Sequence, residues 1–398
     1  MTTHIPSRVI SLLMFEVGPR RSSVSLRRIG GLVLAQFLAL FFLTACGNRS
    51  EDASTTVLTR ALGTADTSGF ARAYAPREFR FPEDHGPHPE YRTEWWYYTG
   101  NLRDAHGRNF GYQLTFFRNA LAPASARGIG DSTSTWRARD MYFAHFALSD
   151  IDGERFHPFE RYARGAAGLA GANAMPLHVW VEHWQVRQQG DTTVLFAEQD
   201  GVAIDLRLVA GRAPVLQGDR GLSRKSIRPG NASYYYSVPR LATNGRVKLF
   251  GTVFTVSGLS WLDREWSSSV LDTGQVGWDW FALQLDDGRD IMLYQMRRDD
   301  GSVDSTSAGT IVTRDGASIP LRHGDYRIEV RDSWTSPQSG KRYPSGWHIV
   351  IPAHNIALEV RPAQQRQELP FAVTYWEGAV RCEGPGISGR GYVELTGY

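Results

Sequence analysis

Two carboxylates stand two residues apart in Ser260-Trp261-Leu262-Asp263-Arg264-Glu265-Trp266, the most chemically suggestive stretch of this 398-residue chain. In an extended strand successive side chains alternate between faces, so Trp261, Asp263 and Glu265 share one face and Leu262, Arg264 and Trp266 the other. Two acids beside an indole make a poor core. If that face looks into an apolar hollow, desolvation raises a carboxyl pKa and the neighbouring negative charge raises it further. A carboxylic acid that keeps its proton near neutrality can donate it to a weak base. The alternative is that both acids pair with arginines at a barrel rim.

A second cluster lies in FPEDHGPHPEYRTEWWYYTGNL, Phe81 to Leu102, which holds Asp84, His85, His88, Glu90 and Glu94. Its spacing matches no zinc signature and its prolines keep the segment irregular, so neither a metal nor a cofactor is expected. Glu94, Trp96 and Tyr98 share one strand face. Glu94 therefore either joins a polar cluster inside an aromatic cavity or pairs with an arginine such as Arg118. His85 and His88 are expected to face the cavity or to cap the chain entrance, and His145 lies in another strand-like run, AHFALSD. The expected catalytic set is Asp263, Glu265, Glu94 and Trp261. The expected substrate-binding set is Trp96, Tyr98, Trp278, Trp280, Tyr294, His85, His88 and His145, because aromatic faces suit apolar or cationic species. No G-x-S-x-G nucleophile elbow or H-E-x-x-H motif occurs.

The elements that must carry these residues are strands. Val202, Ile204, Leu206 and Leu208 share one face of an extended run, Tyr326, Ile328 and Val330 alternate with Arg327 and Glu329, and Ile356, Leu358 and Val360 recur at the same period of two. Asp-Gly pairs at 152–153, 287–288, 300–301 and 315–316 supply hairpin turns. Aromatics at 12% and 40 glycines agree with β structure. A weak repeat relates Trp96–Arg118 to Trp280–Arg298: an aromatic strand, a Gly-Arg turn, then a second strand closing on arginine. The expectation is an all-β chain with two β-barrels in tandem, over residues 76–245 and 246–398.

The formal net charge of +3 comes from the N-terminal segment, where Arg8, Arg20, Arg21, Arg27 and Arg28 face one acid, Glu16. Without a basic body, nucleic-acid binding is not expected. Arg27-Arg28 precede an uncharged run, Ile29 to Leu43, of signal-peptide length. It ends in Leu-Thr-Ala-Cys46, which resembles the lipobox of bacterial lipoproteins. That resemblance implies a signal peptide over 1–46, a lipid anchor on Cys46, and outer-membrane sorting because Gly47 follows. Residues 47–75 read as a flexible tether. Only Cys382 would then remain, so no intramolecular disulfide is expected. The expected product is a monomer in the cell envelope, facing the periplasm, whose partners are that membrane and a hydrophobic small molecule.

Six blocks carry a wider resemblance: FPEDHGPHPEYRTEWWYYTGNL, AHFALSD, SYYYSVPRL, SWLDREWSSS, GWDWFALQL and the closing YWEGAVRCEGPGISGRGYVELTGY. Together they resemble the AttH-like, carotenoid 1,2-hydratase superfamily, in the branch labelled predicted secreted hydrolases. The resemblance implies two lipocalin-like barrels. It also implies water addition to an isolated C=C, begun by an acidic Asp, which aligns on Asp263. The hydratase motif has Tyr two residues before that Asp and Asn two residues after; here these are Trp261 and Glu265. Two functions follow as expectations. One is an acid/base hydratase or hydrolase acting on an isoprenoid or lipid-like molecule. The other is a non-catalytic carrier or scaffold for an apolar ligand.

Overall fold

The computed structural model describes residues 67–126, 137–268 and 271–398. Cys46, the signal segment and most of the expected tether lie outside the described residues. Of that tether, Ala73 is buried and Ala71 packs beside it against the first hydrophobic core, so the chain is already docked there.

Every major element among the described residues is a β-strand, and the only helical pieces are three short 3-10 turns. Two antiparallel sheets account for them, in agreement with the expected tandem-barrel, all-β architecture. The first runs from Thr93–Asp104 to Thr252–Ser267, and the second from Gln275–Leu285 to Ile387–Leu395. In the first, the His178–Val181 strand packs back across Asn109–Ala120, Asp140–Asp150 and Arg155–Arg164, which curls the sheet nearly shut. The Asp-Gly turns at 152–153, 287–288 and 315–316 each connect consecutive strands as expected.

The division between the barrels corrects the sequence reading. Residue 245 lies inside the long Ala232–Leu249 strand, which turns at Phe250-Gly251 and pairs along its length with Thr252–Ser267. Gly251 takes φ +93° there, a left-handed conformation that glycine adopts without strain. Both strands therefore belong to the first sheet, and the sheets part between Ser267 and Gln275. Alternation identified the strands, but it does not say which sheet a strand joins.

Polar clasps bind the two sheets. A bulge between Val238 and Leu241 interrupts the ladder. It redirects Arg240 toward Asp290 of the second sheet, at 2.9 Å, where Arg212 also binds at 2.7 Å. Between the sheets lies a separate cluster that includes Tyr97, Tyr235, Trp261, Trp280, Tyr294 and Met296.

Candidate functional site

The Thr252–Ser267 strand separates two environments. Leu262 and Trp266 point into the first barrel's core. Trp261 points the other way, into the cluster between the sheets, and Asp263 and Glu265 on the same face line a cavity there. The cavity measures about 170 Å³, is partly open to solvent and has predominantly apolar walls. Its size is close to the roughly 150 Å³ that admits a benzene ring. Trp95, Tyr97, Phe117 and Phe143 line it from the first sheet, and Trp278, Trp280 and Tyr294 from the second.

Asp263 is 4% exposed, and among the described residues it has no arginine partner, its neighbour Arg264 being taken up by Glu94. Three donors converge on it. Ser237 Oγ donates to Oδ1 at 2.5 Å, Trp261 Nε1 donates to the same oxygen at 2.7 Å, and Tyr235 Oη donates to Oδ2 at 2.5 Å. Strand register explains this convergence. Ser237 is the cross-strand partner of Asp263, Tyr235 lies two residues away on the same face, and Tyr97 flanks the acid from the other side. Trp280 Nε1 donates to Tyr235 Oη at 3.1 Å, so the second sheet helps to orient that phenol. Burial pushes the Asp263 carboxyl up to about 7, against the three donors, and the negative charge of Glu265 adds to the rise. The group is thus poised to hold or lose a proton near neutrality.

Glu265 is ionically held. Lys225 Nζ lies 2.7 Å from its Oε1, and Ser233 Oγ donates to the same oxygen. Burial alone would lower the lysine pKa, but Glu265 outweighs it and the net displacement is upward, so Lys225 stays charged. Its ammonium sits 5.3 Å from the Tyr235 ring centroid and 4.9 Å from that of Tyr294, a cation–π arrangement.

Two further acids of the cavity wall were not anticipated. Glu377 and Glu394 are direct cross-strand partners in the second sheet. Burial raises both carboxyls; Glu394 raises Glu377 further, and Asp263 and Glu265 do the same to Glu394. The pair therefore retains a proton near neutrality. His145 joins the wall, its Nδ1 2.7 Å from Tyr375 Oη and its Nε2 3.1 Å from Glu160. Burial lowers its pKa despite Glu160 and keeps the ring neutral.

Of the residues singled out in the sequence, the fold gathers Asp263, Glu265, Trp261, Trp278, Trp280, Tyr294 and His145 around this cavity. Glu94, Trp96, Tyr98, His85 and His88 are not among them, which corrects the expected site. On the Thr93–Asp104 strand it is Trp95 and Tyr97 that face the cavity, while Trp96 and Tyr98 fill the first barrel's core. Glu94 has no exposed side-chain surface and is clamped between Arg118 and Arg264. Those two guanidiniums hold its carboxyl well below the usual range despite burial, which removes it as a proton carrier. His88 stacks on Trp266 at 3.7 Å and bonds Asp84, and His85 bonds Tyr236 at 2.6 Å. Among the described residues, no group of three or more His, Cys, Asp or Glu is arranged to hold a metal ion.

The tandem-barrel fold has known counterparts. Residues 72–398 match the AttH-like family, and the chain belongs to it. A putative AttH from Nitrosomonas europaea is 32% identical, with TM-score 0.75, over 83% of this chain and 99% of that one. Kievitone hydratase from Nectria haematococca shares the fold at 13% identity, with TM-score 0.63, over 84% of this chain and 97% of that one. No curated protein matches the chain by sequence.

Proposed function

We propose that the chain is an acid–base hydratase acting on an apolar, isoprenoid or lipid-like alkene, held between the barrels in the cell envelope by an anchor on Cys46. The observation that carries this reading is Asp263: a carboxyl held near neutrality among aromatic rings, with donors already aimed at both oxygens. Its proton passes to one alkene carbon, whose π pair becomes the new C–H bond. Positive charge develops on the neighbouring carbon, opposite the faces of Trp95, Trp278 and Trp280. The Asp263 carboxylate left behind is stabilised at once by Ser237, Tyr235 and Trp261. Water, oriented by Glu265, bonds to the cation, and the surplus proton returns to Asp263. Atoms and charge balance with no outside base. The hydratase among the fold neighbours supports choosing hydration over other acid chemistry.

The test offers total envelope lipid extract to the purified protein in isotope-labelled water. Mass spectrometry should find a lipid that gains one labelled water with wild type and not with Asp263→Asn. A wild type that retains a lipid and returns it unaltered would mark the chain as a carrier.

A further inference from the structure

The cavity carries a second polar cluster that the hydration step does not use. Tyr97 Oη, Gln113 Oε1 and both carboxyl oxygens of Glu377 make no well-formed hydrogen bond among the described residues, although the Tyr97 and Tyr375 phenols lie near enough to the Glu377 carboxyl to act on it. All three side chains line the cavity, and they are 6%, 1% and 1% exposed. A buried polar group without a partner destabilises the fold that holds it. Folded chains keep few of them, and four such atoms around one cavity, two from the first sheet and two from the second, point to something that binds there.

We propose that this cluster recognises a hydroxyl group, so that the ligand is an apolar molecule with an alcohol head rather than a bare hydrocarbon. The proposal rests on the hydratase reading for the word substrate, but the binding it describes does not. The donor–acceptor inventory fits. Glu377 and Gln113 offer acceptors for one hydroxyl hydrogen, and Tyr97 offers a donor for the hydroxyl oxygen. The Gln113 amide is oriented by its own bonds, donated to Thr115 Oγ1 at 3.0 Å and Tyr375 Oη at 3.3 Å, which leaves Oε1 as the free end. Burial and the Glu394 carboxyl opposite raise the Glu377 carboxyl well above its ordinary range, so it meets the ligand as a neutral group whose carbonyl oxygen accepts. Tyr97 is also the ladder partner of Asp263. The head site and the acid site therefore share a wall, and a hydroxyl bound at one end directs the hydrocarbon toward the other. A pure hydrocarbon would bury these four atoms and satisfy none.

Decanol and its methyl ether, titrated into the full chain and followed by tryptophan fluorescence, separate the cases. The two probes share a chain and an oxygen but only the alcohol donates. The alcohol should bind roughly 2- to 10-fold more tightly, the worth of one neutral hydrogen bond. Glu377→Met and Tyr97→Phe should each bring that preference toward unity. Urea unfolding of each variant checks that the fold is kept. Asp263→Asn should keep the preference intact. Equal binding of alcohol and ether by the wild type overturns the proposal, as does failure to bind either probe, or a full preference in Glu377→Met. Hydration without a head preference would sink this inference alone. A head preference with every lipid returned unaltered would sink the hydratase reading alone.

Discussion

Replacing Asp263 with Asn keeps the shape of the side chain and removes its ability to ionise, which turns the acid reading into a stability measurement. In the unfolded chain the carboxyl loses its proton near the ordinary value of 3.8; in the folded chain it holds on to about 7. Between those values the folded state binds one more proton than the unfolded state. Stability therefore falls as pH rises through the window, by about 1.4 kcal/mol per pH unit. Across the window this accumulates to roughly 4 kcal/mol, an order-of-magnitude figure, fully expressed only above pH 7. The Asn variant lacks this loss. Urea unfolding of both proteins at a series of pH values, read by tryptophan fluorescence, should show the variant gaining on the wild type from about pH 4 upward and levelling off above about 7. Below the lower limit both forms are neutral and the gap should be constant. A gap that does not change with pH would show that Asp263 ionises as an ordinary carboxylate, and proton donation from it would have to be abandoned.

Other consequences are as direct. Hydration by the wild type should decline as pH rises through about 7, because the protonated acid disappears there; a profile flat to pH 9 would exclude this donor. Arg264→Met removes one of the two cations that clamp Glu94 and should cost about 3–5 kcal/mol in urea unfolding. A loss under about 1 kcal/mol would mean that the network is not the buried pair described. Lys225→Met should leave Glu265 buried without its cation and lower turnover while apolar-ligand binding persists, a split visible by comparing kcat with tryptophan quenching. Arg240→Ala should loosen the clasp on Asp290 and speed proteolysis between the sheets, with unchanged cleavage counting against a role in holding them together.

The strands and the acid were legible because both depend on period two. The Trp261–Asp263–Glu265 face is read from one strand and needs no partner. Glu94 shows the limit of that logic. Its strand carries aromatics on both faces, Trp95 and Tyr97 on one and Trp96 and Tyr98 on the other, so parity alone does not tell the cavity side from the core side. The answer lay in Arg118 and Arg264, which reach Glu94 only when three strands are aligned. The donors to Asp263 illustrate a second limit. Tyr235 and Ser237 stand in SYYYSVPRL, which reads as aromatic packing until register sets them opposite the acid. Glu377 and Glu394 are unremarkable apart and become a pair only through the hairpin that joins their strands. The barrel division was missed for a related reason, since the Phe250-Gly251 turn ends a strand without ending a sheet.

The Thr252–Ser267 strand is a party wall with two tenants. A single-residue deletion upstream of Asp263 would move the acid into the barrel filling and push Arg264 or Leu262 into the cavity. The position of Asp263 is therefore welded to the integrity of one whole barrel. Selection can repaint the chamber from the opposite sheet far more freely than it can relocate the acid.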